Sequence, residues 1–230
     1  MQEVFKDERL RFLIGDIRDK DRLSRAMDGI DCVINCAALK HVPICQYNPM
    51  EAVKTNIVGL MNVIDAAEDN GVKKVLSISS DKAVYPINIY GASKLAGEQL
   101  VINANVYGKT KFSCYRPGNY FESRGNVFEL WDEQAKTGEC TLTDEGMYRY
   151  FIELEEAARI ALICLKDMQG GETFVPIMKE YKMIDLLKAR YPDVEIKIIG
   201  MRNGERLHEP LFTNDEERRV KVCENYYLIK

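Results

Sequence analysis

Residues 73–98 read KKVLSISSDKAVYPINIYGASKLAGE, and the arrangement of apolar and polar residues along them sets the fold class. Val75, Leu76 and Ile78 follow two lysines in a run too short for a helix, which reads as a buried central strand. A helix opens near Tyr90. The same alternation continues outward in both directions. Strands are predicted at Arg9–Ile14, Asp31–Cys36, Lys74–Ser79, Lys111–Arg116, Glu172–Val175 and Glu195–Ile199. Helices are predicted at Asp21–Met27, Pro49–Asn70, Tyr90–Asn105, Glu153–Asp167 and Met183–Tyr191. The second is the clearest. Met50, Val53, Ile57, Leu60, Met61, Ile64 and Ala67 share one face, Asn48 can cap the first turn, and Asn70-Gly71 closes the end. Strands alternating with helices predict an α/β protein with a doubly wound, Rossmann-like parallel sheet.

Composition narrows the function classes. The 230 residues hold 46% hydrophobic and 30% charged side chains with a net charge of −4, a globular balance that argues against nucleic acid or a membrane surface as partner. No apolar run approaches the roughly 20 residues a bilayer demands, and MQEVFKDERL is too charged for a signal peptide. Seven cysteines and two histidines, without a CxxC, predict neither a disulfide framework nor a metal site, and place the chain in the reducing cytoplasm.

The front of the pattern departs from a complete nucleotide-binding sheet. Such sheets open with a strand, a glycine-rich turn and a helix holding a pyrophosphate, whereas the first strand predicted here already runs into GDIRD at 15–19. The expectation is a chain starting one βα unit late. Residues 1–168 then form an incomplete dinucleotide-binding domain with a substrate loop near 117–150, and 169–230 a small substrate-binding lobe.

Chemistry concentrates after the central strand. Ligands sit at the carboxyl ends of parallel strands, and Ser79-Ser80-Asp81-Lys82 stands at one. Tyr90 and Lys94 are four apart, so on a helix they share a face. A phenol ordinarily titrates near pH 10. A neighbouring ammonium favours the phenolate, giving a base for an alcohol proton with Ser80 bonding the same hydroxyl, while a cofactor takes hydride. Asp81-Lys82 alone could be a solvated pair; beside an oxidation site it reads as proton donor and acceptor.

With these residues in place, the sequence resembles the extended short-chain dehydrogenases. It is most similar to nucleotide-sugar 4,6-dehydratases of the polysaccharide-biosynthesis family, in their short inverting branch that acts on UDP-N-acetylglucosamine. SSDKAVYPINIYGASKLAGE carries the match, and AALKHVPICQYNPMEAVKTNIVGLMNVIDAA, GNYFESRGNV and GMRNGERLHE follow the family in the same order. The resemblance implies a UDP-sugar substrate, NADP as cofactor (or NAD), and a homo-oligomer. Tyr90 takes the C4 hydroxyl proton with Lys94 tuning the phenol, Lys82 removes the C5 proton and Asp81 protonates the departing 6-hydroxyl. Asp16 and Ile17 match the adenine-side segment, and Ala37, Ala38 and Lys40 the cofactor-lining one. Lys40, Asn119, Arg124, Arg149, Arg202 and Glu205 match substrate-binding positions, the last two at the diphosphate and uridine ribose.

Departures from the family pattern fall near the substrate: Pro117, Tyr120, Glu122, Asn126 and Asn203. Glu122 adds a negative charge that opposes a diphosphate if it points inward. Two other readings are open: a UDP-sugar 4-epimerase of the same family, which needs no elimination pair, and an inactive remnant or binding subunit.

Overall fold

Period-two alternation in the central strands builds the layers. In a computed structural model, which describes residues 6–230, the elements begin with α1 (Lys20–Met27), β1 (Cys32–Asn35), α2 (Val42–Tyr47) and α3 (Pro49–Val53). Next come α4 (Gly59–Asp69), β2 (Lys74–Ile78), α5 (Ile89–Asn103), β3 (Lys111–Tyr115), β4 (Asn119–Tyr120) and α6 (Val127–Ala135). They continue as β5 (Glu139–Leu142), β6 (Tyr148–Ile152), α7 (Leu154–Asp167), β7 (Thr173–Pro176), β8 (Lys179–Lys182) and α8 (Met183–Arg190). The chain closes with β9 (Glu195–Ile198), α9 (Asn214–Glu217), β10 (Lys221–Val222) and β11 (Tyr226–Ile229). The first five residues of the charged N-terminal stretch lie outside the described residues.

The large sheet has the order β1-β2-β3-β7-β11-β10. Its first four strands are parallel and β11 runs antiparallel to β7. Val75, Phe112 and Cys114 turn to one face and pack with Leu60, Val63 and Ile64 of α4 and Val101 of α5. Leu76 and Tyr115 turn to the other, against Ile160, Ala161 and Cys164 of α7. Side chains as buried as Val75, Leu76 and Phe112, all at 0% exposure, each contribute roughly 1.5–3 kcal/mol. The sheet is thus covered on both faces, as the central run implied.

Three sequence expectations need correcting. Arg9–Ile14 is not a strand: it runs as coil with Ile14 95% exposed, because none of the described strands lies alongside to share a ladder. The 49–70 helix forms, but Lys54–Val58 is a π-helical segment within it, and Asn48 does not cap it. The Asn48 amide donates back to the Ile44 carbonyl at 3.2 Å. The expected boundary at 168/169 also does not separate two sheets. β7, β10 and β11 join the large sheet, while a smaller lobe is assembled from both sides of that boundary by the sheet β4-β6-β8 and the pair β5-β9. Fully buried Trp131 anchors that lobe with Phe128, Phe151 and Leu187, and its indole N–H donates to the Thr141 carbonyl at 2.9 Å.

Candidate active site

The strand end and the helix start meet at one corner. β2 stops at Ile78, and Asp81–Ala83 forms a single 3-10 turn whose amide at Lys82 is capped by Ser80 Oγ at 3.3 Å. The Asp81 amide donates to the Pro117 carbonyl at 2.9 Å, tying that turn to the chain leaving β3. Asn88 caps α5 by accepting from the Gly91 amide at 2.8 Å, which fixes where Tyr90 enters. Gly91 is what lets the helix sit so close. A Cβ there would collide with the Lys82 carbonyl oxygen and come within 3.1 Å of Pro86 Cβ. Gly91→Ala is expected to cost about 1–3 kcal/mol, read as a lower urea midpoint.

Burial sets the electrostatics. Asp81 is 0% exposed and holds its Oδ1 toward two donors, the Ser80 hydroxyl at 2.8 Å and Lys82 Nζ at 3.1 Å. Its Oδ2 is buried with no partner among the described residues. Tyr90, 7% exposed, packs on Cys45 and Ala52. Burial pushes its phenol well above the usual range, a Ser80 hydrogen bond works against that, and the Asp81 charge adds to it. The lowering expected from Lys94 is not among these effects. Lys94 Nζ donates to the Ile78 carbonyl at 2.8 Å, and its own pKa is lowered by burial.

Asn56 was not singled out from sequence, yet it links the parts. It sits buried on the π-helical segment, a distortion that frequently marks functional sites. Its amide donates to the Leu39 carbonyl and to Ser93 Oγ, both at 3.0 Å, and its Oδ1 accepts from the Leu39 amide at 2.8 Å. The Ala37–Lys40 loop is thereby tied to the helix of Tyr90 and Lys94. No signal in the sequence flags it, because the apolar face from Met50 to Ala67 runs through it unbroken.

A narrow crevice between the ends of β1 and β2 is lined by Asn35, Ala37, Ser79 and Lys94. The Ser79 hydroxyl there is buried without a hydrogen-bond partner among the described residues. An orphaned donor and an ammonium at strand ends suit a ribose hydroxyl at the rim of the crevice, while the crevice itself, about 20 Å³, has room for a single water.

The larger cleft, about 710 Å³, brings together most of the expected site: Lys40, Ser80, Lys82, Tyr90, Asn119, Arg149, Arg202 and Glu205 all line it. Asp81 lies behind Ser80 and Lys82 rather than on the wall. Asn119 donates to the Tyr150 carbonyl at 3.1 Å. Glu205 Oε2 accepts from the Arg202 amide at 3.1 Å. Arg124 is exposed and does not line the cleft; its carbonyl accepts Lys40 Nζ at 2.6 Å. Lys40 is itself lowered in pKa by burial.

Two adenine-side expectations take a different form. Asp16 is paired with Arg18 at 2.8 Å, and that hydrogen-bonded guanidinium lowers its carboxyl to about 2. Ile17 packs against Gly59 and joins the core beside α4. Neither lines either cavity. Glu122 does not oppose a diphosphate, because its Oε2 accepts from the Leu154 amide at 2.9 Å, capping α7 instead. Asn126 caps α6 through the Glu129 amide at 3.0 Å.

The chain resembles several known proteins over its length. The UDP-N-acetylglucosamine 4,6-dehydratase (inverting) of Campylobacter jejuni is 46% identical over 234 residues, spanning 100% of this chain and 70% of the relative. The UDP-glucose 4-epimerase of Rickettsia massiliae is 37% identical over 238 residues, with 100% and 70% covered. The X-ray structure of Pen from Bacillus thuringiensis superposes with a TM-score of 0.95 at 40% identity, covering 99% of this chain and 76% of that one. No helix among the described residues is long and apolar enough to cross a membrane. The family model described as polysaccharide biosynthesis protein matches residues 1–230, and the chain belongs to that family.

Proposed function

We propose that this chain is a nucleotide-sugar 4,6-dehydratase that takes UDP-N-acetylglucosamine and inverts C5, working in the cytoplasm on surface glycan precursors. The observation that carries the reading is the meeting of Tyr90, Ser80 and Lys82 on one cleft wall with Asp81 directly behind. A nicotinamide dinucleotide, NADP or NAD, supplies hydride acceptance from C4 and hydride return to C6 when bound. Lys94 and the Ser79 hydroxyl are the residues that would hold its ribose end, with Ala37 and Ala38 leaving room beside them.

This chain's own residues manage the protons. Tyr90 accepts the C4 hydroxyl proton while Ser80 orients that hydroxyl. The resulting 4-keto group acidifies C5–H, and Lys82, which faces the cleft, takes that proton. The departing 6-hydroxyl leaves as water with a proton from Asp81, relayed through the Ser80 hydroxyl or the Lys82 amine that bond its Oδ1, because Asp81 itself stays behind the cleft wall. C5 is reprotonated from the opposite face. At the far end of the cleft Arg202 suits the diphosphate through its planar fork, and Glu205 suits the ribose hydroxyls. Lys40 and Asn119 flank the sugar between them.

The test is incubation with UDP-N-acetylglucosamine and NADP, following loss of one water by mass and inversion at C5 by NMR. The presence of Lys82 and Asp81 favours dehydration over epimerisation, which needs no elimination pair. Lys82→Ala is expected to slow water loss by roughly a hundred- to ten-thousand-fold, while C4 oxidation, seen at the reduced-nicotinamide band, persists. Simple C4 epimerisation by the wild type, unchanged in Lys82→Ala, rejects the dehydratase.

A further inference from the structure

Residues 202–206 run from the cleft wall to the backbone behind the Asp81–Lys82 turn. Arg202 and Glu205 line the cleft. They close on each other, the Arg202 amide donating to Glu205 Oε2 and the Glu205 amide to the Arg202 carbonyl, both at 3.1 Å. The guanidinium of the next residue, Arg206, donates to the Val84 carbonyl at 3.3 Å and to the Tyr85 carbonyl. Its own backbone is held from β6, because Arg149 donates to the Arg206 and Leu207 carbonyls at 2.7 and 3.0 Å.

The stretch that Arg206 grips joins the two halves of the candidate active site. The 3-10 turn Asp81–Ala83 is closed by the Ala83 amide on the Ser80 carbonyl and the Val84 amide on the Asp81 carbonyl, both at 3.0 Å. Asn88 then caps α5, the helix of Tyr90 and Lys94, and its side-chain amide donates to the Gly204 carbonyl at 2.8 Å. Between them Tyr85 has a φ of 46°, the one left-handed non-glycine residue among those described. A residue ahead of a proline, here Pro86, favours extended backbone, so this conformation persists only because the surroundings enforce it. Arg206 on the Tyr85 carbonyl and the Asn214 amide on the Tyr85 hydroxyl, at 2.7 Å, supply that enforcement.

We propose that Arg206 is a positioning residue that couples the nucleotide end of the cleft to the Asp81–Lys82 pair. A ligand gripped by Arg202 and Glu205 steadies residues 202–206, Arg206 holds Tyr85 left-handed, and the 3-10 turn keeps Lys82 facing the cleft. The coupling rests on the nucleotide-sugar reading of that end; the hydrogen bonds do not. Without the guanidinium, Tyr85 relaxes toward extended backbone and the turn before it opens more often.

The experiment is amide hydrogen exchange at Ala83 and Val84, followed with and without saturating UDP in the wild type, Arg206→Met and Arg206→Lys. In the unliganded chain, Arg206→Met is expected to exchange about ten-fold faster at these amides with those of β2 unchanged, since the opening is local. Arg206→Lys, which keeps the charge without the planar fork, is expected to fall between the two. UDP is expected to slow exchange there about three-fold or more in the wild type and not at all in Arg206→Met, with calorimetry showing UDP bound to both. Equal exchange in wild type and Arg206→Met overturns the proposal. So does an acceleration of the same size throughout β2, which reports lost global stability. Protection by UDP that is equal in both proteins, or absent from the wild type, overturns it as well, because a merely structural tie leaves the UDP effect unchanged. Should Arg206→Met not fold, Arg206→Lys carries the test, and exchange and UDP protection matching the wild type overturn the proposal equally. No turnover is measured, so a chain that shows the coupling but releases no water from UDP-N-acetylglucosamine loses only the dehydratase reading.

Discussion

Tyr90→Phe is expected to lower turnover of UDP-N-acetylglucosamine by roughly a thousand-fold, within the range that loss of one positioned acid–base group commands. The ring stays: its contacts with Cys45, Ala52 and Ile89 are apolar, so folding and UDP-sugar affinity by calorimetry should hardly move. What goes is the oxygen proposed to meet the C4 hydroxyl beside Ser80. The pH profile carries the sharper test. Burial and the Asp81 charge keep the phenol protonated, and a base must lose its proton before it can act. Wild-type activity limited by Tyr90 therefore climbs with pH through neutrality without reaching a plateau there. Loss of that alkaline rise in Tyr90→Phe, with the residual rate flat in pH, is the expected signature. A variant with wild-type turnover removes Tyr90 from the chemistry.

The strand end and the helix face were legible from sequence because each rests on local rules. Val75, Leu76 and Ile78 bounded by polar residues give a buried strand, and the four-residue spacing of Tyr90 and Lys94 gives a shared face. Lys40, Asn119 and Glu205 entered only through resemblance to a family, and they line the same cleft as Tyr90 although some 165 residues separate the first from the last. Long-range pairing was the illegible part. Arg9–Ile14 has the composition of a strand, but a strand exists only with a neighbour, and periodicity reports nothing about neighbours. A small lobe was expected at 169–230, but its strands are short and come from both sides of that boundary, which no local pattern reports. Asn56 matters through a π-helical segment that a regular helical pattern hides. Glu122 was expected to oppose a diphosphate only if it pointed inward; it caps α7 instead, which only the backbone direction after Tyr120 could reveal.

Arg116→Met is expected to produce the largest loss of stability of any single change considered, about 3–5 kcal/mol, or roughly 10–15 °C in Tm for a chain of this size. Arg116 is 3% exposed and donates from Nε and Nη2 to both Glu98 oxygens at 2.9 and 2.7 Å. Nη1 and Nη2 also reach both Glu216 oxygens at 3.1 and 2.7 Å. Burial opposes its charge, but the two carboxylates outweigh that and raise its pKa. Glu98 lies on α5 one turn beyond Lys94, and Glu216 belongs to the capping box that Thr213 sets at α9. Arg116 thus joins α5, which carries Tyr90 and Lys94, to α9, and its removal strands two carboxylates in the interior. The size of the loss should follow pH in a definite direction. Burial raises Glu216, yet its bonds to Arg116 lower it further, so it titrates below its ordinary 4.5. The stability it contributes is complete above that ordinary value and disappears as pH falls through the lowered one. The gap between wild type and Arg116→Met should accordingly be widest near neutral pH and narrow as pH falls below the ordinary value of Glu216 toward its lowered one, since a protonated Glu216 no longer needs the guanidinium. Replacing Glu98 and Glu216 by Leu in the Arg116→Met background should recover much of the loss, because an apolar trio carries no buried charge. Chemical unfolding at pH 7 and pH 4 measures both effects, and a pH-independent gap would show that packing of the arginine stem, not its charge, holds α9 to α5.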